Sequence, residues 1–276
     1  MTRTSAPQTV SVPAIHARSW LLVPGSRPDR FDDAANSAAD AVIFDLEDGV
    51  IPSAKGAARG HVTEFLGSTG TGWVRINNAT TADWSIDLAA LAGVAGLSGV
   101  MLAKTESPEQ IDRTAARLPG IPVLALVESA RGIEFAFEIA SADAVVRLAF
   151  GTGDFRRDTN VDANALAYAR SRLVVASRAA DIAAPIDGPC VTGPADLPSE
   201  LAVTKSMGMS GKLCMHARDA EAVNHALSPQ PDEITWAADI ISRLGAAGEN
   251  VSDGSDLPKL ARAHRINHMA DVFAGF

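Results

Sequence analysis

A short apolar run recurs eight times along this chain, and each time a turn and then a helical stretch follow it. The runs are Trp20 to Pro24, Ala41 to Leu46, Trp73 to Asn77, Gly99 to Ala103, Pro122 to Val127, Ala144 to Phe150, Ala184 to Asp187 and Lys212 to Met215. Consecutive apolar residues rich in β-branched types suit a strand covered on both faces, as in a parallel sheet. The onsets fall roughly thirty residues apart, the length of one βα unit, and no Asn-Gly hairpin signal separates them. Eight such units predict an α/β chain folded as a (β/α)8 TIM barrel. A doubly wound open sheet is the alternative. It would carry a glycine-rich phosphate loop after its first strand, where Pro24-Gly25-Ser26-Arg27 has one glycine only.

The repeat assigns residues 19–227 to the barrel. Residues 1–18 read as a flexible N-terminal arm, or one that orders on a neighbouring subunit. Residues 228–276 read as a C-terminal helical extension, with helices near 233–244 and 257–272 around a loop at 245–254. A barrel needs no such extension, so it packs outside the barrel or reaches a partner.

Composition removes several function classes. With 24 basic against 33 acidic residues the net charge is -9, which argues against a nucleic-acid-binding surface. No apolar run approaches the ~20 residues that cross a bilayer, and the first eighteen residues lack the apolar core of a signal peptide. Cys190 and Cys214, the only two cysteines, have no metal-ligand spacing and read as reduced thiols of a cytoplasmic protein.

Active sites of barrels lie where the strands end at their C-terminal face, so the residues closing each run are the candidates. The second run breaks into Asp45, Glu47 and Asp48 before Gly49 turns the chain. Carboxylates crowded at the end of a buried strand repel one another and are poorly solvated, an arrangement that suits a cation or proton chemistry. Arg75 interrupts the third run and needs an acid or an anionic ligand. A substrate carboxylate would suit its fork, and an internal pair with Glu47 or Glu106 would serve as well. Lys104 follows the fourth run, Glu128 the fifth, and Gly151, Gly153 and Asp154 the sixth.

Glu128 and Asp154 are the candidate ligands of a hard divalent cation, since Mg2+ is commonly held by two carboxylates with water in the other positions. Ion pairs of Glu128 with Arg131, and of Asp154 with Arg156 or Arg157, are the structural alternative. Gly151 and Gly153 would let backbone N–H groups approach an anionic substrate. His216 ends the eighth run as a base or a core histidine, and Lys212 is placed at the opposite end of the barrel. Arg27, Arg30, Lys55 and Arg59 form a basic cluster suited to the phosphates of a large cofactor arm, or simply to a solvated helix face.

Six ordered segments make a combination that resembles a known family. They are Trp20-Leu-Leu-Val-Pro-Gly-Ser-Arg-Pro-Asp-Arg-Phe31, Phe44-Asp-Leu-Glu-Asp-Gly-Val50, Val74-Arg-Ile-Asn77, Met101-Leu-Ala-Lys-Thr-Glu106, Ala125-Leu-Val-Glu-Ser-Ala-Arg-Gly132 and Phe150-Gly-Thr-Gly-Asp154. Over about residues 19–270 the chain resembles the citrate lyase β-subunit-like proteins of the HpcH/HpaI aldolase superfamily. The resemblance implies a TIM barrel, assembled as a homotrimer or hexamer, that acts as a Mg2+-dependent (or Mn2+-dependent) carbon–carbon lyase on a hydroxyacyl-coenzyme A thioester. It implies metal ligands at Glu128 and Asp154, with Glu47 and Asp48 behind them in the water shell. It also implies a keto- or hydroxy-acid site at Arg75 and coenzyme A contacts from the arginines after Pro24. An acid/base aspartate offered to a neighbouring subunit would be Asp256, before Leu257-Pro258, with Asp253 as a second choice.

The chain departs from the family pattern at Ala103, usually proline, and after His216, where proline is usual, and both put substrate choice in doubt. Malyl, citramalyl and citryl thioesters all fit. An acyl-carrier-protein thioester within a citrate lyase complex is one alternative. A metal-dependent pyruvate aldolase is another, but it would leave Arg27, Arg30 and Asp256 without a role. A non-catalytic assembly barrel is the last, and the presence of both metal acids and Arg75 argues against it.

Overall fold

The computed structural model of the protein describes residues 12–162 and 164–275. Among them eight parallel strands close into a barrel in chain order: β1 (Ser19–Pro24), β2 (Ala41–Asp45), β3 (Gly72–Ile76), β4 (Leu97–Leu102), β5 (Val123–Val127), β6 (Val145–Phe150), β7 (Ala183–Asp187) and β8 (Gly211–Cys214). The last strand pairs with the first, Trp20 opposite Leu213. That pair joins the two edges an open sheet would leave free, so the fold is a TIM barrel.

Alternation along the strands divides their side chains between two environments. Trp20, Ile43, Trp73, Met101, Leu124 and Leu126 belong to one buried cluster that fills the lumen, where Trp20 meets Trp73 edge-on with centroids 5.3 Å apart. Their strand neighbours, such as Phe44, Val74, Ala125 and Val127, pack outward against the helices. Two residues further along the inward series lie Asp45 after Ile43, Arg75 after Trp73 and Glu128 after Leu126. The same alternation that packs the lumen therefore aims three charged groups into the C-terminal mouth.

The other end of the lumen is plugged. Arg147 of β6 is fully buried and has no carboxylate partner among the described residues. It donates instead to the carbonyls of Ala14, Ala17 and Ala184 and to Ser210 Oγ. Burial pushes its pKa down to about 9. These bonds hold residues 13–17 beneath the barrel, and Arg18 is tied to Asp40 at 2.8 Å. Residues 12–18 are thus not the loose arm the sequence suggests, because the lumen needs a floor and Val12 and Ala17 supply it. Residues 1–11 of that arm lie outside the described residues.

Two helical stretches differ from the periodicity. The one expected over 131–141 is broken at Phe135 into Ala130–Glu134 and Ala136–Ala140. A helix the sequence reading did not anticipate, Thr152–Thr159, begins directly after β6 and ends at left-handed Asn160. It carries Asp154 in its first turn.

Beyond the barrel, Pro231–Leu244 and Asp256–Phe273 form an antiparallel hairpin. Its core of Ala237, Ile240, Leu244, Leu260 and Ala263 is separate from the barrel's, and each buried branched side chain in it contributes about 1.5–3 kcal/mol. Arg18 pins its base by donating to Ser228 Oγ and lying over the Phe273 ring at 3.9 Å. No helix among the described residues is long and apolar enough to cross a membrane.

Candidate active site at the barrel mouth

Asp45 organises the loop after β2. Its Oδ1 accepts the amide of Glu47 at 2.8 Å and Arg75 Nε at 2.7 Å; its Oδ2 accepts the amide of Gly49 at 2.8 Å and Arg75 Nη2 at 2.6 Å. Four donors leave this carboxylate nothing further to bind. It serves as scaffold for Arg75. The internal partner is chiefly Asp45 rather than Glu47 or Glu106, and it takes the Nε–Nη2 edge of the guanidinium. Arg75 Nη1 lies 3.2 Å from Glu47 Oε2, and the side chain keeps 15% exposure at the mouth. Burial works against its charge, but Asp45 and then Glu47 outweigh it and raise the guanidinium pKa.

Glu128 and Asp154 are brought to the same mouth but differ in environment. Glu128 is buried, and its Oε1 accepts the backbone amide of Lys104 at 2.8 Å. Among the described residues it has no ion-pair partner, and Arg131 instead lies over the Phe135 ring. Burial pushes its carboxyl up to about 8, with Arg75 opposing and Asp154 adding to the shift. Asp154 is partly exposed, at 2.9 Å from Arg157 and 3.5 Å from Lys104 Nζ.

The glycines between these acids act differently from each other. The Gly151 amide is already bonded to the Val127 carbonyl at 2.9 Å, so it has no donor to give a substrate. Its role is spatial: an added Cβ would stand 2.5 Å from Glu128 Cβ and 3.0 Å from Glu128 Cδ. Gly153 has open space around it and lies in the first turn of Thr152–Thr159, where the amide N–H groups have no intrahelical acceptor.

Lys104 spans the mouth. Its ammonium contacts Glu47 Oε1, Asp48 Oδ2 at 2.8 Å and Asp154 Oδ2 at 3.5 Å. Burial opposes its charge, but Asp48 and Glu47 overcome this and raise its pKa. Burial likewise works against the Asp48 charge, yet the bond from Lys104 carries the carboxyl below its usual range.

The basic cluster does not assemble. Lys55 Nζ donates all three of its protons, to the Leu46 and Glu47 carbonyls and to Asn77 Oδ1. Arg59 is buried and pairs with Asp87 at 2.6 Å and with Asp83. Both are committed within the protein and cannot meet phosphates. Arg27 is exposed and paired with Asp29 at 2.7 Å. Arg30 alone of the four lines the large cavity beside the mouth. That cavity, of about 710 Å³, runs between Leu22, Pro24 and Asp33 on one side and Cys190, Met215 and His216 on the other. His216 is exposed there and is not a core histidine. Lys212 is fully buried, donates to the Gly188 carbonyl at 2.8 Å and lies 3.5 Å from Asp187.

Asp256 is not at this mouth. Only 1% exposed, its Oδ2 accepts the Ser252 amide at 3.1 Å and hydroxyl at 3.0 Å. The amide bond, chiefly, lowers its carboxyl to about 2. It stitches the tip of the C-terminal hairpin, because a carboxylate at a helix start is the natural acceptor for loop amides. Asp253, on the same tip, is exposed.

The model of the HpcH/HpaI aldolase/citrate lyase family matches residues 18–217, and that of the HpcH/HpaI aldolase C-terminal domain matches 232–274. The chain belongs to this family. It is 36% identical over 236 residues to a citrate lyase subunit beta-like protein of Mycobacterium tuberculosis, covering 81% of this chain and 83% of that one. It is 30% identical to a (3S)-malyl-CoA thioesterase of Cereibacter sphaeroides over 94% of this chain and 96% of that one. The M. tuberculosis CitE structure in complex with magnesium, acetoacetate and coenzyme A superposes with a TM-score of 0.79 at 31% identity, covering 93% and 99% of the two chains.

Proposed function

We propose that this family member is a Mg2+-dependent carbon–carbon lyase that cleaves a β-hydroxyacyl-CoA thioester, of malyl, citramalyl or citryl type, into acetyl-CoA and an α-keto acid. One observation carries the reading: a buried, unpaired Glu128 faces Asp154 across a mouth that opens beside a cavity large enough for a pantetheine arm. The donor set fits a hard cation. Carboxylate oxygens are its preferred ligands, and Gly151 leaves the room that Glu128 occupies. Among the described residues no three His, Cys, Asp or Glu side chains are arranged to hold a metal by themselves, so water and substrate oxygens would have to complete the shell of a bound cation. Mg2+ held by Glu128 and Asp154 would polarise the hydroxy-acid oxygens; Mn2+ could substitute.

The chain's own groups divide the remaining work. Glu47 and Asp48 accept hydrogen bonds from the water shell. Arg75, fixed by Asp45, turns its remaining N–H groups to the acid end of the substrate, and Arg30 meets the anionic arm of coenzyme A. The backbone at Gly153 offers a further donor. Cleavage moves one proton from the substrate hydroxyl to the acetyl carbon. Asp256, at the tip of the C-terminal hairpin, is the acid/base aspartate offered to a second copy in a homotrimer or hexamer of a cytoplasmic enzyme. Asp253, exposed on the same tip, is the second choice.

The malyl-CoA thioesterase similarity supports a second reading, hydrolysis of the thioester, and one assay separates the two. Malyl-, citramalyl- and citryl-CoA are incubated with and without Mg2+, with Glu128→Ala as control. Metal-dependent acetyl-CoA together with a keto acid is expected, and free CoA with the intact hydroxy acid would establish hydrolysis instead. No turnover of any free CoA ester would overturn the substrate class and direct the test to a carrier-protein thioester.

A further inference from the structure

Lys104 contacts more of the mouth's carboxylates than any other side chain there. Its φ is +51°, a left-handed conformation that is sterically unfavourable for a residue with a Cβ. That turn points its amide at Glu128 Oε1 and sends its side chain back across the mouth to Glu47, Asp48 and Asp154. One residue thus touches both carboxylates assigned to the metal, Glu128 through its backbone and Asp154 through its ammonium.

The two halves of that grip are not equally fixed. The amide belongs to a backbone held by Thr105, whose own amide is bonded to the Leu126 carbonyl at 2.9 Å and whose hydroxyl donates to the Leu102 carbonyl at 2.8 Å. The ammonium ends a flexible four-carbon stem, and the side chain as a whole is 26% exposed. Arg75, by contrast, is clamped through two bonds to Asp45. Five carboxylates, Asp45, Glu47, Asp48, Glu128 and Asp154, crowd the mouth against Arg75, Lys104 and the outlying Arg157, which is 72% exposed. A divalent cation at Glu128 and Asp154 would stand beside the Lys104 ammonium, where like charges repel strongly in a partly buried site.

We propose that Lys104 is a displaceable internal counter-ion: its ammonium holds Glu47, Asp48 and Asp154 together, competes with the divalent cation for Asp154, and is released towards the substrate when the cation binds. The inference rests on the metal reading above. Lys104 is a positioning residue in this account, setting cation affinity and tying metal binding to a movement of charge at the mouth.

The test measures Mn2+ and Mg2+ binding by titration calorimetry in the wild type, Lys104→Met, Lys104→Arg and Asp154→Asn, with thermal unfolding of each in chelator. Lys104→Met is expected to bind Mn2+ at least tenfold more tightly while melting lower without metal. Lys104→Arg should stay near wild type, and Asp154→Asn should lose binding. A merely structural lysine would lower the melting point without tightening cation binding, so equal or weaker binding by a folded Lys104→Met overturns the proposal and leaves the metal reading standing. Absence of cation binding by the wild type sinks both. Should Lys104→Met fail to fold, the wild type decides: acetylation of Lys104 by an N-hydroxysuccinimide ester, read by peptide mass spectrometry, should rise several-fold on adding Mg2+. Unchanged labelling overturns displacement.

Discussion

Replacing Gly151 by alanine should separate the site from the fold. The new methyl would stand 2.5 Å from Glu128 Cβ, where carbon atoms need about 3.5 Å. Roughly 1 Å must be found. It cannot come cheaply from the backbone, because the Gly151 amide is bonded to the Val127 carbonyl, one residue before Glu128. The Glu128 carboxylate therefore moves and the strand ends part slightly. Overpacking of this kind costs about 1–3 kcal/mol, a fall of several degrees in Tm for a chain of this size. With Glu128 as the proposed metal ligand, its displacement by about 1 Å is expected to weaken Mg2+ or Mn2+ binding by ~10–100-fold and turnover by ~10²-fold. Gly153→Ala is the control, since nothing lies within 4 Å of its added Cβ and alanine suits a helix. Calorimetric cation titration and thermal melts of both variants check this. Wild-type affinity in a folded Gly151→Ala would refute the claim that Gly151 makes room for the Glu128 carboxylate.

Arg59→Ala should cost about 3–5 kcal/mol in denaturant unfolding, because it leaves buried Asp87 without its cation. The KM of a CoA thioester should not change in whatever fraction folds, and a stable variant with raised KM would return Arg59 to the cofactor site. Glu128 makes the metal-free protein pH-sensitive. Its carboxyl sits near 8 when folded against 4.5 when unfolded, so between those values the unfolded chain has released a proton that the folded chain retains. Stability must then fall as pH rises through this window, by up to about 5 kcal/mol. Glu128→Gln should flatten the profile, and parallel wild-type and variant profiles would contradict the assignment. Burial pushes the Cys214 thiol up to about 12, while Cys190 is only half-buried at the cavity wall. Iodoacetamide at pH 8 should alkylate Cys190 alone in the native protein, and prompt labelling of both would count against this packing.

Much of the fold was legible because a parallel barrel writes its strands as apolar runs and its helices as the spacers between them. Eight runs that each need cover on both faces have few solutions, and the β1–β8 pair is the one that leaves no edge. The inward positions of Asp45, Arg75 and Glu128 were legible too, since each stands two residues beyond a large lumen side chain. Pairing was not. Nothing in the sequence distinguishes Asp45, which is saturated by four donors, from Glu47 two residues later, which faces the mouth. The left-handed turn of Lys104 was equally hidden, because no glycine or asparagine advertises it. The helix Thr152–Thr159 was masked by the glycines that open it, whose low propensity suggests a loop.

Lys55 and Arg59 show how such an error arises and what would have prevented it. Four residues apart, they share one face of the helix Lys55–Ser68, and a basic face near the mouth reads naturally as a phosphate site. But Asp83 and Asp87 are also four apart, on the next helix, Ala82–Leu91. Adjacent helices of a barrel turn flanks towards each other, so an acidic i, i+4 pair facing a basic residue one unit earlier is a docking contact between the two helices. The charges neutralise each other in the wall of the barrel, behind the mouth. That leaves the catalytic face with what the strands themselves deliver, and it is why Arg30, carried by the loop after β1, is the one of the four basic residues that lines the cavity.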